Sequence, residues 1–201
     1  PFFIEKGVVY PVQLKNSKWL DISSLVLFLA LAIVEVFILD SYISSYIAAP
    51  LFLISVIRLY NWHTRGIWKS SLLWGLYGSF VFITLAFLLF SILPYTSFIT
   101  RSIALHTLTI GGISLITVSM MSRVTLGHTG RSVNQPSPWI DVVQWILLIT
   151  IITRVVLPVV LPSLYNTWIV SSQLLWIAGY SLFAWVNYPY LTRPRTDGAE
   201  G

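Results

Sequence analysis

The chain contains no cysteine, and this absence removes several kinds of site at once. Disulfides, zinc–thiolate sites and cysteine-ligated iron–sulfur clusters are all excluded. Charge is scarce as well, because only 9% of the 201 residues are charged, whereas a typical soluble domain has about 25%. Histidine occurs three times and methionine twice. Any metal or acid–base site must therefore be built from very few residues.

The sequence also lacks the familiar catalytic motifs. It has no glycine-rich phosphate loop and no H-E-x-x-H pair, and it offers no credible Ser-His-Asp set. Hydrolytic chemistry therefore has no support. The net charge of +5 does not indicate nucleic acid as a partner, because membrane proteins concentrate lysine and arginine in their cytoplasmic loops.

Apolar residues are what the chain has in abundance. They make up 56% of it, the mean hydropathy is +0.81, and a membrane span needs about 20 mostly apolar residues. We predict an all-α polytopic membrane protein whose six helices form one bundle within residues 1–190, embedded in a lipid bilayer. Residues 191–201 are predicted to be a polar, disordered tail. The six predicted spans are residues 20–39, 43–60, 71–93, 99–121, 139–161 and 166–188.

The positive charges predict the orientation of these spans. If the spans alternate in direction, ten of the twelve Lys and Arg residues fall on one side of the membrane. Arg101 falls on the other side, and Arg154 lies inside the fifth span. The positive-inside rule then places both termini in the cytoplasm. The ten residues are Lys6, Lys15, Lys18, Arg58, Arg65, Lys69, Arg123, Arg131, Arg193 and Arg195.

The chain begins with Pro1 rather than methionine. We therefore expect a fragment, a processed subunit, or a start that differs from the start of the gene. Its missing part, or a larger membrane complex, would then be a partner.

His106 lies about one and a half turns after the start of the fourth span. This span is rich in small and polar residues on all sides, which is typical of a helix that touches neighbours in the middle of a bundle. A neutral imidazole pointing into protein could ligate haem iron or copper. The alternative is a histidine that is hydrogen-bonded to a neighbouring helix. The small and polar residues are Thr107, Thr109, Gly111, Gly112, Ser114, Thr117 and Ser119.

The fourth span is followed by Ser-Arg-Val-Thr-Leu-Gly-His-Thr-Gly-Arg, residues 122–131. We interpret residues 124–138 as a loop in which Gly127 and Gly130 flank His128. Glycines permit a sharp turn or a close approach to a cofactor, and Arg123 and Arg131 could hold haem propionates or lipid headgroups. An ordinary positively charged loop would explain the arginines equally well, but not the Gly-His-Thr-Gly sequence.

The three histidines are predicted to lie in two regions. From His106 to Arg123 a helix rises roughly 25 Å, so His106 belongs near the outer face. His128 and His63 belong near the inner face, where they could approach one another as metal ligands. His63 also fits a plain structural role, since helix ends rich in Trp, His and Arg are common at membrane interfaces.

Two charged residues are predicted to lie inside the membrane. Glu35 and Arg154 are about equally far from the inner ends of their spans, so we predict that they form an ion pair. A propionate contact for Arg154 and a proton-relay role for Glu35 are the alternatives. Pro158 removes the helical donor for the Arg154 carbonyl and predicts a kink there.

The fourth span and its continuation resemble a known family. The run IALHTLTIGGISLITVSMMSRVTLGHTGR is similar to the signature of the NnrS family, A-L-H-A-L-T-x-G…M-x-R-x-S-L-G-H-T-G-R. Weaker support comes from PFF at the start, RLYNWHTR, and SLLWGLYGSF. The resemblance covers nearly the whole chain, and family members have about twice as many spans, so this chain resembles a C-terminal half.

The resemblance implies a bacterial inner-membrane protein that contains haem and copper and protects against nitric oxide stress. His106, Arg123, His128 and Arg131 match the polar positions of the motif, with Gly127 and Gly130 beside them. The implied cofactors are haem b and copper, and nitric oxide is the implied small ligand. The family often has histidine where this chain has Tyr77, which implies a lost site or a tyrosine in its place. The competing hypothesis is a non-catalytic subunit beside a respiratory or nitrogen-cycle enzyme.

Overall fold

The computed structural model describes residues 1–196 and 198. This part of the chain is helical and has no strand, and six of its helices are long and apolar enough to span a membrane. The predicted fold class is therefore confirmed. A short helix α1, Phe2–Gly7, precedes the six spans. The spans are α2 (Lys18–Ile38), α3 (Ser41–Trp62), α4 (Ser71–Tyr95), α5 (Arg101–His128), α6 (Trp139–Val160) and α7 (Pro162–Thr192).

Short polar caps begin several of these helices. The Asp40 carboxylate accepts hydrogen bonds from the backbone N–H groups of Tyr42 and Ile43, at 2.8 and 3.0 Å, which satisfies donors that the first turn of α3 leaves unpaired. Leu39, just before this cap, has a φ of 59°. This left-handed residue reverses the chain between α2 and α3 in a connection of two residues.

The spans alternate in direction, so the bundle has two ends. One end, which we call the termini face, carries the starts of α4 and α6, and Trp74 Nε1 donates there to Asp141 at 3.2 Å. The other end, which we call the distal face, carries the α2–α3, α4–α5 and α6–α7 connections. Tyr42 and Tyr95 pack edge to face at the distal face, with ring centroids 6.1 Å apart.

Helices α4 and α5 form the centre of the bundle. The most apolar stretch of each is 44% buried within the chain, whereas that of α2 is 11% buried. The central position predicted for the fourth span is thus confirmed. Gly111 and Gly112 of α5 permit close packing, because an added Cβ would lie 2.6 Å from Phe82 and from Ile83 of α4, respectively.

The helix of the fourth span is longer than predicted. Residues 124–128, which were predicted to belong to a loop, are helical. Helix α5 continues through Val124 to His128. Beyond it, Arg131 N donates to Leu126 O at 2.9 Å and Gly130 N to Gly127 O at 3.3 Å. With Gly130 at φ 72°, this is a Schellman cap. The Gly-His-Thr-Gly sequence therefore ends a helix, and Gly130 is required by its left-handed backbone.

Three of the spans contain π-helical turns, which the sequence did not predict. They are Val34–Ile38 in α2, Thr107–Ile113 in α5 and Ile152–Val156 in α6. The last one precedes Pro158, where a kink was predicted, because proline cannot supply the donor that a regular α-helix needs. Such turns often mark functional sites, and each of these contains or adjoins an intramembrane polar residue.

The described part of the predicted C-terminal tail, up to Thr196, contacts the end of α5. Arg195 Nη1 donates to the backbone carbonyl of His128 at 2.9 Å, and Thr196 Oγ1 donates to that of Gly130 at 2.8 Å. These bonds satisfy carbonyls that the end of α5 leaves unpaired. The remainder of the predicted tail, residues 197 and 199–201, lies outside the described residues.

Candidate functional site

His106 and Arg154 meet near the distal face, on adjacent helices. Arg154 Nη2 lies 3.0 Å from His106 Nε2, and His106 Nδ1 lies 2.6 Å from the backbone carbonyl of Ser102, one turn earlier. Both side chains are partly buried. The structure thus brings together two residues that the sequence assigned to a cofactor site.

These contacts determine the tautomer of His106. A carbonyl only accepts hydrogen bonds and a guanidinium only donates them. Nδ1 must therefore carry the proton that it donates to Ser102, and Nε2 must present its lone pair to Arg154. The Ser102 carbonyl fits any ring that is protonated at Nδ1, so it is the contact with Arg154 that requires the neutral tautomer with its lone pair on Nε2.

The π-helical turns position this pair. The turn in α5 begins directly after His106, and the turn in α6 contains Arg154. A π turn adds one residue to the helical repeat and so changes the direction in which the following side chains project. The turn in α6 lies beside Arg101–His106 of α5, and the turn in α5 lies beside the Trp139–Ile151 stretch of α6.

Two cavities adjoin the pair. One has a volume of about 290 Å³ and lies towards the distal face, where Phe98, Thr100 and Tyr165 line it. The other, of about 710 Å³, is lined by residues of α5 and α7 that include Ser114, Gln173 and Tyr180. His106 and Arg154 line both cavities. Ligand sites commonly have volumes of about 300–1,000 Å³, so the larger cavity is of suitable size.

The predicted ion pair between Glu35 and Arg154 is wrong. Glu35 Oε2 lies 3.1 Å from Arg101 Nε, in an electrostatic contact without a well-aligned hydrogen bond, and Glu35 Oε1 accepts from Ser44 Oγ. Equal depth was the only basis for the prediction. Depth does not specify which helices are neighbours, and the Glu35 turn of α2 packs beside the start of α5 instead.

The two arginines of the motif at the termini face do not converge on His128. Arg123 lies over the ring of Phe3, 5.2 Å from its centroid. Arg131 lies over Tyr190 at 5.0 Å and donates to the carbonyl of Thr129. The arginines thus fasten the N-terminal segment and α7 to the end of α5. These contacts favour an anchoring role over the propionate clamp suggested by the sequence.

His128 is exposed on the last turn of α5, and Gly127 beside it has open space where a Cβ would lie. Helix α5 is continuous between His106 and His128, and 22 residues of helix rise roughly 30 Å. The two histidines therefore cannot share one metal ion. This agrees with the two separate regions that the sequence predicted.

His63 belongs to an aromatic cluster at the termini face. Its ring lies 5.8 Å from that of Tyr77, and Trp68 Nε1 donates to its Nε2 at 3.5 Å. Tyr77 in turn donates to the carbonyl of Leu59 at 2.9 Å. The family that the sequence resembles often has histidine at the position of Tyr77. In this structure the ring of His63 contacts that position. The sequence alone did not connect these two residues.

The residues around His106 fit a haem group with one axial histidine. Ligating histidines commonly donate their other ring N–H to a carbonyl or carboxylate, which is what Nδ1 of His106 does with Ser102. The adjoining cavity includes the rings of Trp176 and Tyr180. Arg154 occupies the direction of the Nε2 lone pair, so ligation requires this side chain to turn away. The spacing of Ser102 and His106, four residues apart, was a visible signal for the first contact.

Within residues 1–196 and 198, no three side chains of His, Asp or Glu lie close enough together to hold a metal ion. His63 and His128 each supply one imidazole at the termini face. The described residues therefore fit a single-histidine ligand to haem better than a multi-histidine copper centre.

Comparison with known proteins gives one match. The model of the family described as "NnrS protein" matches residues 1–195. No curated protein and no solved structure matches the chain.

Proposed function

Because the chain belongs to the NnrS family, we propose that it is a haem-binding protein of the bacterial inner membrane that acts in the response to nitric oxide. His106 is the proposed axial ligand of a haem b. Family membership supports the connection with nitric oxide, and the six apolar helices support residence in a membrane.

The state of the His106 ring is the observation that carries this proposal. Its Nδ1 proton is held by the Ser102 carbonyl, which leaves Nε2 as a neutral donor atom beside a cavity of about 710 Å³. A haem held by His106 would supply an iron that can bind a small gas such as nitric oxide.

The first experiment asks whether the full chain binds haem. The protein is purified from membranes of cells supplied with a haem precursor, and its optical spectrum and iron content are measured. We expect a Soret band and close to one iron per chain. A protein with neither would reject the proposal.

Matched histidine variants then identify the ligand. His106→Ala is expected to remove or shift the Soret band, because it deletes the proposed axial ligand, whereas His128→Ala leaves the spectrum unchanged because its ring is exposed at the opposite end of α5. The reverse pattern would move the haem to the termini face. A folding defect in His106→Ala is distinguished by adding imidazole, which restores the band if only the ligand is missing.

A copper function at the termini face is a weaker proposal. It would use His63 or His128 with ligands from another polypeptide, since the described residues form no three-ligand group. Copper analysis of the purified chain and of its native complex tests this proposal. Copper in the complex alone would support shared ligation, and copper in neither would reject it.

The second candidate function is a non-catalytic membrane subunit. Helix α2 favours it, because 11% of its most apolar stretch is buried within this chain, so most of that helix is available to lipid or to helices of a partner. The partner would be the remaining half of an NnrS protein or a larger nitrogen-cycle complex. Native purification with a tag on this chain tests the proposal: a stoichiometric partner would support it, and a lone chain with bound haem would argue against it.

A further inference from the structure

Among the residues that the structure describes, no carboxylate contacts the charged guanidinium of Arg154. Those residues include five carboxyl groups, and each one has another partner: a backbone N–H, an indole N–H or a different arginine. The five carboxyl groups belong to Glu5, Asp21, Glu35, Asp40 and Asp141.

The position of Arg154 makes this uncompensated charge costly. It is the sixteenth residue of α6, so about 22 Å of helix separate it from the first residue, Trp139. Its Nη2 donates to neutral His106, and its Nη1 is buried without a hydrogen-bond acceptor in the described part of the chain. Ionised residues inside a membrane are expensive, face protein or cavities, and mark ligand or ion pathways.

The cavities beside Arg154 offer additional hydrogen-bond donors. Thr100, Ser102 and Tyr165 line the distal one. Ser114 and Gln173 line the deeper one. Because Phe98 and Thr100 lie in or next to the connection between α4 and α5, the distal cavity adjoins the end of the bundle and is within reach of a solute at that face.

We propose that Arg154 binds a small monovalent oxyanion, such as nitrate, nitrite or formate, in these cavities. The planar guanidinium fork donates two parallel hydrogen bonds to a planar oxyanion, and the neighbouring hydroxyl and amide groups complete its hydrogen bonding. An anion here neutralises the charge that the protein leaves unpaired. The distal cavity, lined by Thr100, Ser102 and Tyr165, is separate from the cavity assigned to the haem, and this site depends on the charge of Arg154 and not on ligation by His106, so it goes beyond the proposed haem function.

Calorimetric titration tests the proposal. The full chain is placed in nanodiscs of zwitterionic lipid, and its haem content is recorded from the Soret band. Sodium nitrate, nitrite and formate are titrated at constant ionic strength, with chloride as the spherical comparison. We expect one saturable site per chain for the oxyanions and weaker binding of chloride. A Soret band without anion binding, or anion binding without a Soret band, separates the two proposals.

Two arginine variants locate the site. Arg154→Gln is expected to weaken oxyanion binding by at least about ten-fold, because truncating a partner of a buried charge pair costs more than 1.4 kcal/mol. Arg65→Gln removes the same charge from an exposed position at the termini face and should leave affinity within about two-fold of that of the unmodified chain.

A charge-conserving variant keeps the proposal falsifiable if Arg154→Gln does not fold. Arg154→Lys retains a cation without the planar fork, so it should bind anions but lose most of the preference for nitrate over chloride. Three results would overturn the proposal: no saturable binding to the unmodified chain, equal binding in Arg154→Gln, or a nitrate preference unchanged in Arg154→Lys. Binding heat on titration with anionic phosphatidylglycerol, together with no binding heat from the free oxyanions, would also reject the assignment of a small-anion site.

Discussion

His106 is held between a group that only accepts and a group that only donates. The Ser102 carbonyl accepts a hydrogen bond from Nδ1, and the Arg154 guanidinium donates one to Nε2. Both nitrogen atoms of the ring therefore have a partner in the protein.

Two glycines, three residues apart, have opposite roles at the end of α5. Gly130 has φ 72°, so Gly130→Ala should lower the free energy of unfolding by about 1 kcal/mol. Gly127 lies inside the helix with open space at its Cβ position, so Gly127→Ala should raise it by about 0.5–1 kcal/mol through better helix propensity. Thermal unfolding in detergent measures both. Equal effects in the two variants would contradict the Schellman assignment.

The arginines discussed above have different kinds of partner, although they are the same residue type. Arg123 and Arg131 have aromatic faces beneath their guanidinium groups and fasten segments of the chain at the termini face. Arg101 has a carboxylate partner. Among the described residues, no carboxylate and no aromatic ring face contacts the guanidinium of Arg154, and this difference is the reason that a ligand role is assigned to it.

At the scale of elements, the π-helical turn in α5 packs against α4 directly after His106. Its glycines bring the two helices together, because Gly111 and Gly112 contact Phe82 and Ile83 closely. Small residues at helix interfaces permit backbones to approach within the membrane. A change in this contact would therefore move the turn that follows His106.

Gly112→Ala tests this contact. The added methyl group would lie 2.6 Å from Ile83 Cγ1, and overpacking of this kind costs about 1–3 kcal/mol. Gly78→Ala in α4 is the control, since nothing lies within 4 Å of its Cβ position. Unfolding temperatures of both variants, and of Gly112→Ala combined with Ile83→Ala, are compared. The double variant should recover part of the loss, and a purely additive result would locate the strain elsewhere.

For the whole molecule, the orientation in the membrane remains a prediction from the positive charges. The absence of cysteine makes it directly testable, because a single introduced cysteine has no background. Ser97→Cys lies in the distal α4–α5 connection and Asn134→Cys in the α5–α6 connection at the termini face, and both positions are exposed.

The expected labelling follows from cytoplasmic termini. A membrane-impermeant maleimide added to intact spheroplasts should label Ser97→Cys, and it should label Asn134→Cys only after the membrane is permeabilised. The reverse labelling would invert the topology. Labelling of both positions in intact spheroplasts would contradict the six-span arrangement itself.

The long-range contacts of the molecule follow from which helices become neighbours, and this was the least predictable feature. Glu35 and Arg154 matched in depth, yet Glu35 pairs with Arg101. His63 and Tyr77 come from different helices, yet their rings are 5.8 Å apart. Neither contact has a signal in a single sequence, because lateral order in a bundle depends on the packing of all six helices at once.

Local chemistry determined what the sequence revealed by itself. Long apolar runs require helices in lipid, because backbone polar groups must be paired within the segment, so the six spans and the all-α class were predictable. The small-residue composition of the fourth span predicted its central position, and the Gly-His-Thr-Gly-Arg signature identified the family. The separation of His106 from His128 followed from helical rise alone.

Only the tertiary structure decided how these residues act together. It converted a predicted glycine-rich loop into a helix cap, because the Leu126 carbonyl at the end of α5 accepts from Arg131 N, five residues later. It directed the arginines of the motif to Phe3 and Tyr190, and it brought Arg154 to the Nε2 atom of His106. The physical reason is that an arginine in a membrane must find some polar partner, and the nearest one is determined by helix neighbours and π-helical turns rather than by the order of residues along the chain.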